Sequence, residues 1–246
     1  MRWVGLCLLL AGSVLAQDTR QPGWMAMSPA LQTLQREPTQ HPGQLFVAEG
    51  QALWSTPGAN GRRCADCHAQ PPSVAPNYPV FDATTGRPLT LAARIQHCRQ
   101  THLGEPPVGA NTSDHPPVLA LQAWLSDRSQ GLPVTPDPRL QPWAERGQRL
   151  WQQRFGQLNL ACAQCHDARA GQRLGGAVIP QAHPTGYPLY RLEWQGLGSL
   201  QRRMQGCLSG VRAQPYAPDA DEWLALEAWL MQRAAGMPWE GVALRP

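Results

Sequence analysis

Two short stretches of the sequence, CADCH at Cys64–His68 and CAQCH at Cys162–His166, share the pattern Cys-x-x-Cys-His. In each stretch the two thiols lie about one helical turn apart, and an imidazole follows directly. This spacing is the attachment signature of c-type haem, in which the thiols bond to one porphyrin and the histidine lies beneath the iron. The sequence therefore predicts two covalently bound haem c groups. The attachment residues are Cys64, Cys67, Cys162 and Cys165, and the proximal iron ligands are His68 and His166.

Other functions of a Cys-x-x-Cys pair explain the sequence less well. A redox dithiol of the thioredoxin type needs no histidine after the second cysteine. A zinc site would need a tetrahedral set of ligands, which this chain does not offer at the usual spacing. Because the complete pattern occurs twice, we interpret both copies as haem motifs.

The haem motifs belong to a longer internal repeat. GQALW, Gly50–Trp54, precedes the first motif, and GQRLW, Gly147–Trp151, precedes the second. LALQAWL begins at Leu119 and LALEAWL begins at Leu224. Self-similarity on this scale indicates a duplicated unit, in which a helix, a haem motif, a loop-rich stretch and a last helix follow one another.

This order of elements resembles the class I cytochrome c fold. In that fold, a glycine and an aromatic residue of the first helix pack against an aliphatic and an aromatic residue of the last helix. The resemblance implies a mainly α, loop-rich chain with two tandem domains of this type. The expected contacts join Gly50 and Trp54 to Leu121 and Trp124, and Gly147 and Trp151 to Leu226 and Trp229.

The chain begins with a segment typical of a secretory signal peptide. Arg2 supplies the positive charge, an apolar run follows, and Ala16 is a small residue suited to cleavage. The apolar run is too short to span a bilayer, so we expect a periplasmic protein without a membrane span. The expected divisions are the signal peptide at 1–16, an N-terminal extension at 17–44, and cytochrome c-like domains at 45–135 and 136–246, the second with the active site.

The charge balance limits the kinds of partner that the protein can bind. The chain has 21 basic residues, all of them arginine, and 17 acidic ones, which give a net charge of +4. A nucleic-acid-binding protein would need a concentrated basic stripe. The mild positive charge is compatible with small anions or acidic protein partners.

Each haem also needs a ligand on the far side of its iron, usually methionine or histidine. The repeat aligns RIQHC, which ends at Cys98, with RMQGC, which ends at Cys207. His97 and Met204 each fall opposite a residue that cannot bind iron. Cysteine is the one ligand-forming residue that both units share at this place. We call the haem of the first motif haem 1 and that of the second motif haem 2. The sequence therefore predicts Cys98 as a ligand of the haem 1 iron and Cys207 as a ligand of the haem 2 iron.

Two alternatives for these cysteines remain open from the sequence. Exported proteins favour disulfides, so Cys98 and Cys207 could be bonded to each other. Equivalent positions in two units should face different haems, however, which would separate the thiols beyond bonding distance. Either residue could also be an unreactive buried thiol.

The two haem motifs, the two later cysteines and the stretch RRMQGCLSGVRAQPY, Arg202–Tyr216, together resemble the dihaem SoxA cytochromes of bacterial thiosulfate oxidation. The likeness covers most of the chain after the signal peptide. It implies a heterodimer with the monohaem cytochrome SoxX and the activity of an L-cysteine S-thiosulfotransferase. In that family, thiosulfate is joined to a cysteine of SoxY in the carrier SoxYZ, and two electrons leave through haem to a cytochrome acceptor.

The same resemblance implies roles for two residues of the second unit. Cys207 would be the catalytic residue, carried as a persulfide, as well as an iron ligand, and Arg203 would bind the substrate. Thiosulfate is a dianion, guanidinium groups bind such oxygens in bidentate fashion, and Arg203 precedes Cys207 by one helical turn. Because Arg94 holds the same place in the first unit, a haem propionate is an alternative partner of Arg203.

Two other functions are compatible with a dihaem cytochrome. A plain electron-transfer cytochrome would have methionine or histidine ligands and no need for arginines near Cys207. A thiosulfate dehydrogenase that forms tetrathionate can also contain a Cys-ligated haem, but its other haem needs no cysteine. Two equivalent cysteines therefore favour the thiosulfotransferase.

Thiolate ligation predicts low reduction potentials for both haems. A thiolate donates electron density to iron, which stabilises the oxidised state. We expect a potentiometric titration to place both midpoint potentials below that of the hydrogen electrode. Potentials well above this reference for both haems would contradict the assignment of Cys98 and Cys207 as ligands.

Overall fold

The computed structural model describes residues 18–109, 111–218 and 220–246, so the expected signal peptide lies outside the described residues. The described chain is mainly helical, and none of its helices combines the length and apolar character that crossing a bilayer requires. The α-helices are α1 (Pro29–Arg36), α2 (Gly43–Ser55), α3 (Cys64–Cys67), α4 (Leu91–Leu103), α5 (Pro116–Asp127), α6 (Gln141–Gln152), α7 (Cys162–His166), α8 (Leu200–Gly210) and α9 (Asp221–Arg233). The strands are β1 (Val80–Asp82), β2 (Arg87–Leu89), β3 (Arg173–Leu174), β4 (Ala177–Val178), β5 (Leu189–Arg191), β6 (Gly196–Gly198) and β7 (Leu244–Arg245).

Two helix pairs repeat one crossing, once in each half of the chain. Helix α2 packs on α5, and α6 packs on α9. A Cβ atom added to Gly50 would lie 2.1 Å from the carbonyl oxygen of Ala120, and one added to Gly147 would lie 2.0 Å from that of Ala225. Glycine permits this approach because any side chain at these positions would overlap the facing backbone.

The expected packing of first helix against last helix is confirmed. The Trp54 and Trp124 rings meet edge to face, with their centroids 5.0 Å apart. Gly50 lies against the Cβ of Trp124, and Gly147 lies against the Cβ of Trp229. The prediction of a mainly α fold with a duplicated unit is therefore confirmed.

Each unit also contains a β-hairpin and a further helix between its haem motif and its last helix. The hairpins β1–β2 and β5–β6 lead into α4 and α8. The Thr90 hydroxyl accepts a hydrogen bond of 3.1 Å from the Ala93 amide, and the Ser199 hydroxyl accepts one of 3.1 Å from the Arg202 amide. These N-caps stabilise the beginnings of the helices that carry the two later cysteines.

The largest hydrophobic cluster of the described chain contains residues of both halves. Trp239, which follows α9, donates a hydrogen bond of 2.8 Å from Nε1 to the Ser126 hydroxyl on α5. Asp114 of the first half accepts hydrogen bonds from the Ser199 amide at 2.9 Å and the Ser199 hydroxyl at 2.8 Å. Strand β7 pairs with β5, and α1 of the N-terminal extension packs against β7. The position of α8 and of the β5–β6 hairpin therefore depends on the rest of the chain.

A cavity of about 60 Å³ lies between the two halves and is lined by residues from both. Gln122 of α5 and Glu227 of α9, which hold equivalent places in the repeat, line it together. Burial raises the pKa of Glu227 to about 7. The folded chain therefore holds this carboxyl group protonated at a mildly acidic pH.

Gly147→Ala should destabilise the protein, because the added methyl group would overlap the Ala225 carbonyl. We expect the free energy of unfolding to fall by about 1–3 kcal/mol in urea denaturation. Gly206→Ala is the matched control, since Gly206 is also helical but nothing lies within 4 Å of an added Cβ there. The control should be neutral or stabilising, because alanine favours a helix more than glycine does. Equal stability of the two variants would contradict the proposed role of the crossing.

Glu227→Gln should change how the stability depends on pH. Between pH 4.5, the ordinary pKa, and about 7, the folded chain keeps a proton that the unfolded chain has released. The stability of the parent therefore falls as the pH rises through this range. Glutamine does not ionise, so the stability of the variant relative to the parent should increase from pH 4.5 to 7. A difference that stays constant across this range in urea denaturation would contradict the prediction.

Candidate haem and substrate sites

The two haem motifs form the short helices α3 and α7. At the start of α3, the Asp66 carboxylate accepts a hydrogen bond of 2.8 Å from the Arg63 amide. At the start of α7, the Gln164 side chain accepts one of 2.8 Å from the Ala161 amide. The same local contact therefore stabilises the same turn in both units. The cysteines in the described part of the chain are all free thiols, as attachment to a porphyrin requires.

Each motif histidine packs against the aromatic residue of its first helix. The ring centroids of Trp54 and His68 lie 5.7 Å apart, and those of Trp151 and His166 lie 5.6 Å apart. The Nδ1 atom of His166 lies 2.8 Å from the Pro180 carbonyl oxygen. This contact favours a proton on Nδ1 and leaves Nε2 as the nitrogen that can bind iron.

The second unit adds an ionic contact behind its histidine. Asp167 accepts a hydrogen bond of 2.7 Å from Trp151 Nε1 and lies 2.8 Å from the Arg233 guanidinium. Alanine holds the place of Asp167 in the first unit. Burial lowers the pKa of His166, and the charges of Arg203 and Arg233 lower it further.

Each later cysteine lies close to the haem motif of its own unit. Burial raises the pKa of Cys64, and the neighbouring Cys98 adds to this rise. In the second unit, burial together with the nearby Cys207 raises the pKa of Cys162 to about 11. Each half thus brings together two motif thiols, one imidazole and a further thiol, a donor set that fits a haem c with histidine and cysteine ligands. The structure contains no Cys98–Cys207 disulfide, because both thiols are free.

Arg203 and Cys207 lie one turn apart on α8, and both are half-buried. Burial raises the pKa of Tyr187 to about 12, and the Arg203 and Cys207 side chains act on this phenol in opposite directions. The predicted site residues of the second unit therefore lie together. In the first unit, burial raises the pKa of Cys98, and the charge of Arg94 opposes this rise.

Arg191 is a further residue of this site that the sequence motifs do not identify. It ends β5, where burial lowers its pKa and the charge of Arg203 lowers it further. Glu193, Tyr187 and Cys207 act in the opposite direction and raise the pKa of Arg191. The Arg191 guanidinium therefore lies within the electrostatic field of the second site. The sequence could have indicated Arg191, because the two units align without a gap from the hairpin to the later cysteine. This alignment shows where the two units differ in charge.

The repeated fold and the two sets of thiol and imidazole groups define a c-type cytochrome with two cytochrome c domains. The family model described as "SoxA/TsdA, cytochrome c domain" matches residues 49–134 and 146–239. Such a domain carries covalently bound haem c. The chain belongs to the SoxA family of cytochromes.

Several known proteins are similar to this chain over most of its length. The L-cysteine S-thiosulfotransferase subunit SoxA of Pseudaminobacter salicylatoxidans is 32% identical over 93% of this chain and 82% of its own length. The subunit of the same name from Allochromatium vinosum is 35% identical over 83% of this chain and 74% of its own length. The crystal structure of SoxXA from P. pantotrophus matches with a TM-score of 0.87 and 28% identity, over 94% of this chain and 88% of that chain.

Proposed function

We propose that this chain is a dihaem, periplasmic subunit of an L-cysteine S-thiosulfotransferase, which joins thiosulfate to a cysteine of a carrier protein. The position of Cys207 carries this proposal. Cys207 is a half-buried free thiol, one helical turn after Arg203 and beside the second haem motif. The thiosulfotransferase activity of the SoxA relatives supports the reaction.

The overall reaction is an oxidation that forms one sulfur–sulfur bond. The carrier thiol loses its proton, and the terminal sulfur of thiosulfate bonds to the carrier sulfur. Two electrons leave to a cytochrome acceptor, and the product is a cysteine S-thiosulfonate. Haem, when bound, supplies the path for these electrons.

Cys207 takes part in two successive steps of this reaction. In the first step, the terminal sulfur of thiosulfate bonds to the outermost sulfur on Cys207, and two electrons are released. That outermost sulfur belongs to the thiolate itself or to a persulfide. In the second step, the carrier thiolate attacks the terminal thiosulfate sulfur, and Cys207 leaves in its starting form. This second step is an exchange between sulfur atoms and needs no oxidant.

Arg203 holds the sulfonate end of thiosulfate in this mechanism. Its guanidinium can form two parallel hydrogen bonds to sulfonate oxygens. It also offsets the negative charge that accumulates when a dianion meets a thiolate. Haem 2 would then be attached through Cys162 and Cys165, with His166 and Cys207 as iron ligands. Haem 1 would be attached through Cys64 and Cys67, with His68 and Cys98 as iron ligands.

The partners follow from the relatives of the chain. The match to the SoxXA structure supports a heterodimer with a monohaem SoxX subunit. The thiosulfotransferase activity requires a carrier cysteine, for which we propose SoxYZ. A separate cytochrome would accept the electrons, because a thiolate-ligated haem has a low potential and is a poor final acceptor.

Cys207→Ala should abolish conjugation while both haems stay attached, because attachment uses the four cysteines of the haem motifs and not Cys207. Mass spectrometry of the carrier, after incubation with thiosulfate, SoxX and an oxidised cytochrome, measures the product. Cys98→Ala is the matched control, since it removes the equivalent thiol of the first unit and should reduce conjugation less. Full activity of Cys207→Ala would contradict the proposal. Tetrathionate without carrier conjugation in the parent protein would identify a thiosulfate dehydrogenase instead.

A further inference from the structure

The two units share one frame but differ in charge at several positions, and one of these positions ends the first strand of the hairpin. The segments Tyr78–Cys98 and Tyr187–Cys207 align without a gap, and each contains the hairpin and the helix that carries the later cysteine. Arg94 and Arg203 hold the same place, as do the two cysteines. Asp82, at the end of β1, falls opposite Arg191, at the end of β5. One unit therefore has a carboxylate where the other has a guanidinium.

In the second unit, Arg191 is held next to the substrate site. Its side chain is only 16% exposed, and its guanidinium lies 2.5 Å from the Glu193 carboxylate and over the Trp194 ring at 5.4 Å. Among the described residues, its Nε atom is buried without a hydrogen-bond partner. A buried donor without a partner is costly, so this atom is available to a ligand that can accept a hydrogen bond.

The charges of both Arg203 and Cys207 act on the same guanidinium. The charge of Arg203 adds to the effect of burial in lowering the pKa of Arg191, whereas Cys207 opposes it. Glu193, the carboxylate that pairs with Arg191, has a side chain that is 65% exposed, so water weakens the attraction by which it offsets the charge of Arg191. Two neighbouring guanidinium groups repel each other, and a dianion between them would relieve that repulsion.

In the first unit, the corresponding residue is a carboxylate that is bonded to its own hairpin turn. The Thr84 amide donates a hydrogen bond of 3.0 Å to Asp82, and the Thr85 hydroxyl donates one of 2.9 Å. These bonds, together with the charge of Arg94, lower the pKa of Asp82 and keep it ionised. This negative charge, in the place where the second unit has a guanidinium, disfavours the approach of a dianion to the first unit.

We propose that Arg191 is a second thiosulfate-binding residue, which acts with Arg203 to hold the sulfonate group beside Cys207. This inference rests on the proposed function and adds a residue to its substrate site. It also explains why the second unit would bind the substrate anion and the first would not, although both carry an arginine and a cysteine in the same places.

Arg191→Gln in the complete complex tests the proposal. Loss of a charged hydrogen-bond donor should raise the KM for thiosulfate and the Kd measured by calorimetry without carrier by roughly 10- to 100-fold. Arg191→Lys, which keeps the charge but lacks the planar fork, should lie between the parent and Arg191→Gln. Increasing salt should weaken thiosulfate binding more in the parent than in Arg191→Gln.

Arg202→Gln is the matched control. Arg202 is an exposed arginine of α8 that stacks on the same Trp194 ring at 4.4 Å, so this change removes an equal charge nearby. It should change KM and Kd much less than Arg191→Gln does. Equal changes of KM and Kd in the two variants would mean that Arg191 contributes only positive charge to the surface and does not bind thiosulfate directly. That result would overturn the proposal.

Two further results separate the possible failures. An unchanged Kd in Arg191→Gln, with a shifted midpoint potential of one haem, would assign Arg191 to a haem propionate and overturn the inference. A parent complex that binds thiosulfate but forms no carrier conjugate would overturn the proposed function instead. Normal haem content and unfolding temperature in Arg191→Gln show that the measured effect does not come from misfolding.

Discussion

Each unit of this cytochrome depends on the close crossing of its first and last helices at a glycine. Gly50 and Gly147 have no side chain, so their helices lie against the backbone of α5 and α9. The approach places the aromatic residue four positions later against the imidazole of the haem motif. The crossing therefore orients the iron ligand as well as closing the core, and a side chain at the glycine would disturb both.

The duplication kept this frame and allowed the charges around it to diverge. Thiols, imidazoles and one arginine occupy equivalent places in the two units. The second unit has Asp167 and Arg233 behind its histidine and Arg191 beside its later cysteine. The first unit has an alanine in the place of Asp167 and Asp82 in the place of Arg191. In our proposal, the same backbone holds a haem in both halves and offers a cationic pocket to a small dianion in only one.

The second site is assembled with help from outside its own unit. Asp114, from the first half, accepts hydrogen bonds from Ser199 at the beginning of α8, where a carboxylate also interacts favourably with the helix dipole. Strand β7, near the end of the chain, pairs with β5 and aligns Arg245 with Arg191. Both elements that carry the cluster are thus held by distant parts of the sequence, so the proposed substrate site depends on residues of both halves.

The haem motifs, the duplication and the pairing of first and last helices could be predicted from the sequence. These features depend on fixed local spacings, such as the turn between two motif thiols or the four residues from Gly147 to Trp151. It also identified Cys98 and Cys207 as equivalent residues, because an alignment of two repeats needs no coordinates. The sequence did not predict the hairpins before α4 and α8, because strands of three residues are too short to show a periodic pattern.

Which charged side chains come close to each other depends on the folded chain. Arg191 lies 16 residues before Cys207 and shows no helical or motif relation to it in the sequence. The fold of β5 against β6 and β7 brings its guanidinium into the field of Arg203 and Cys207, and burial there removes the water that would otherwise screen it. Electrostatic interactions depend on distance and burial rather than on order along the chain, so the repeat could place Arg191 opposite Asp82, but only the folded chain brings its charge to the second site.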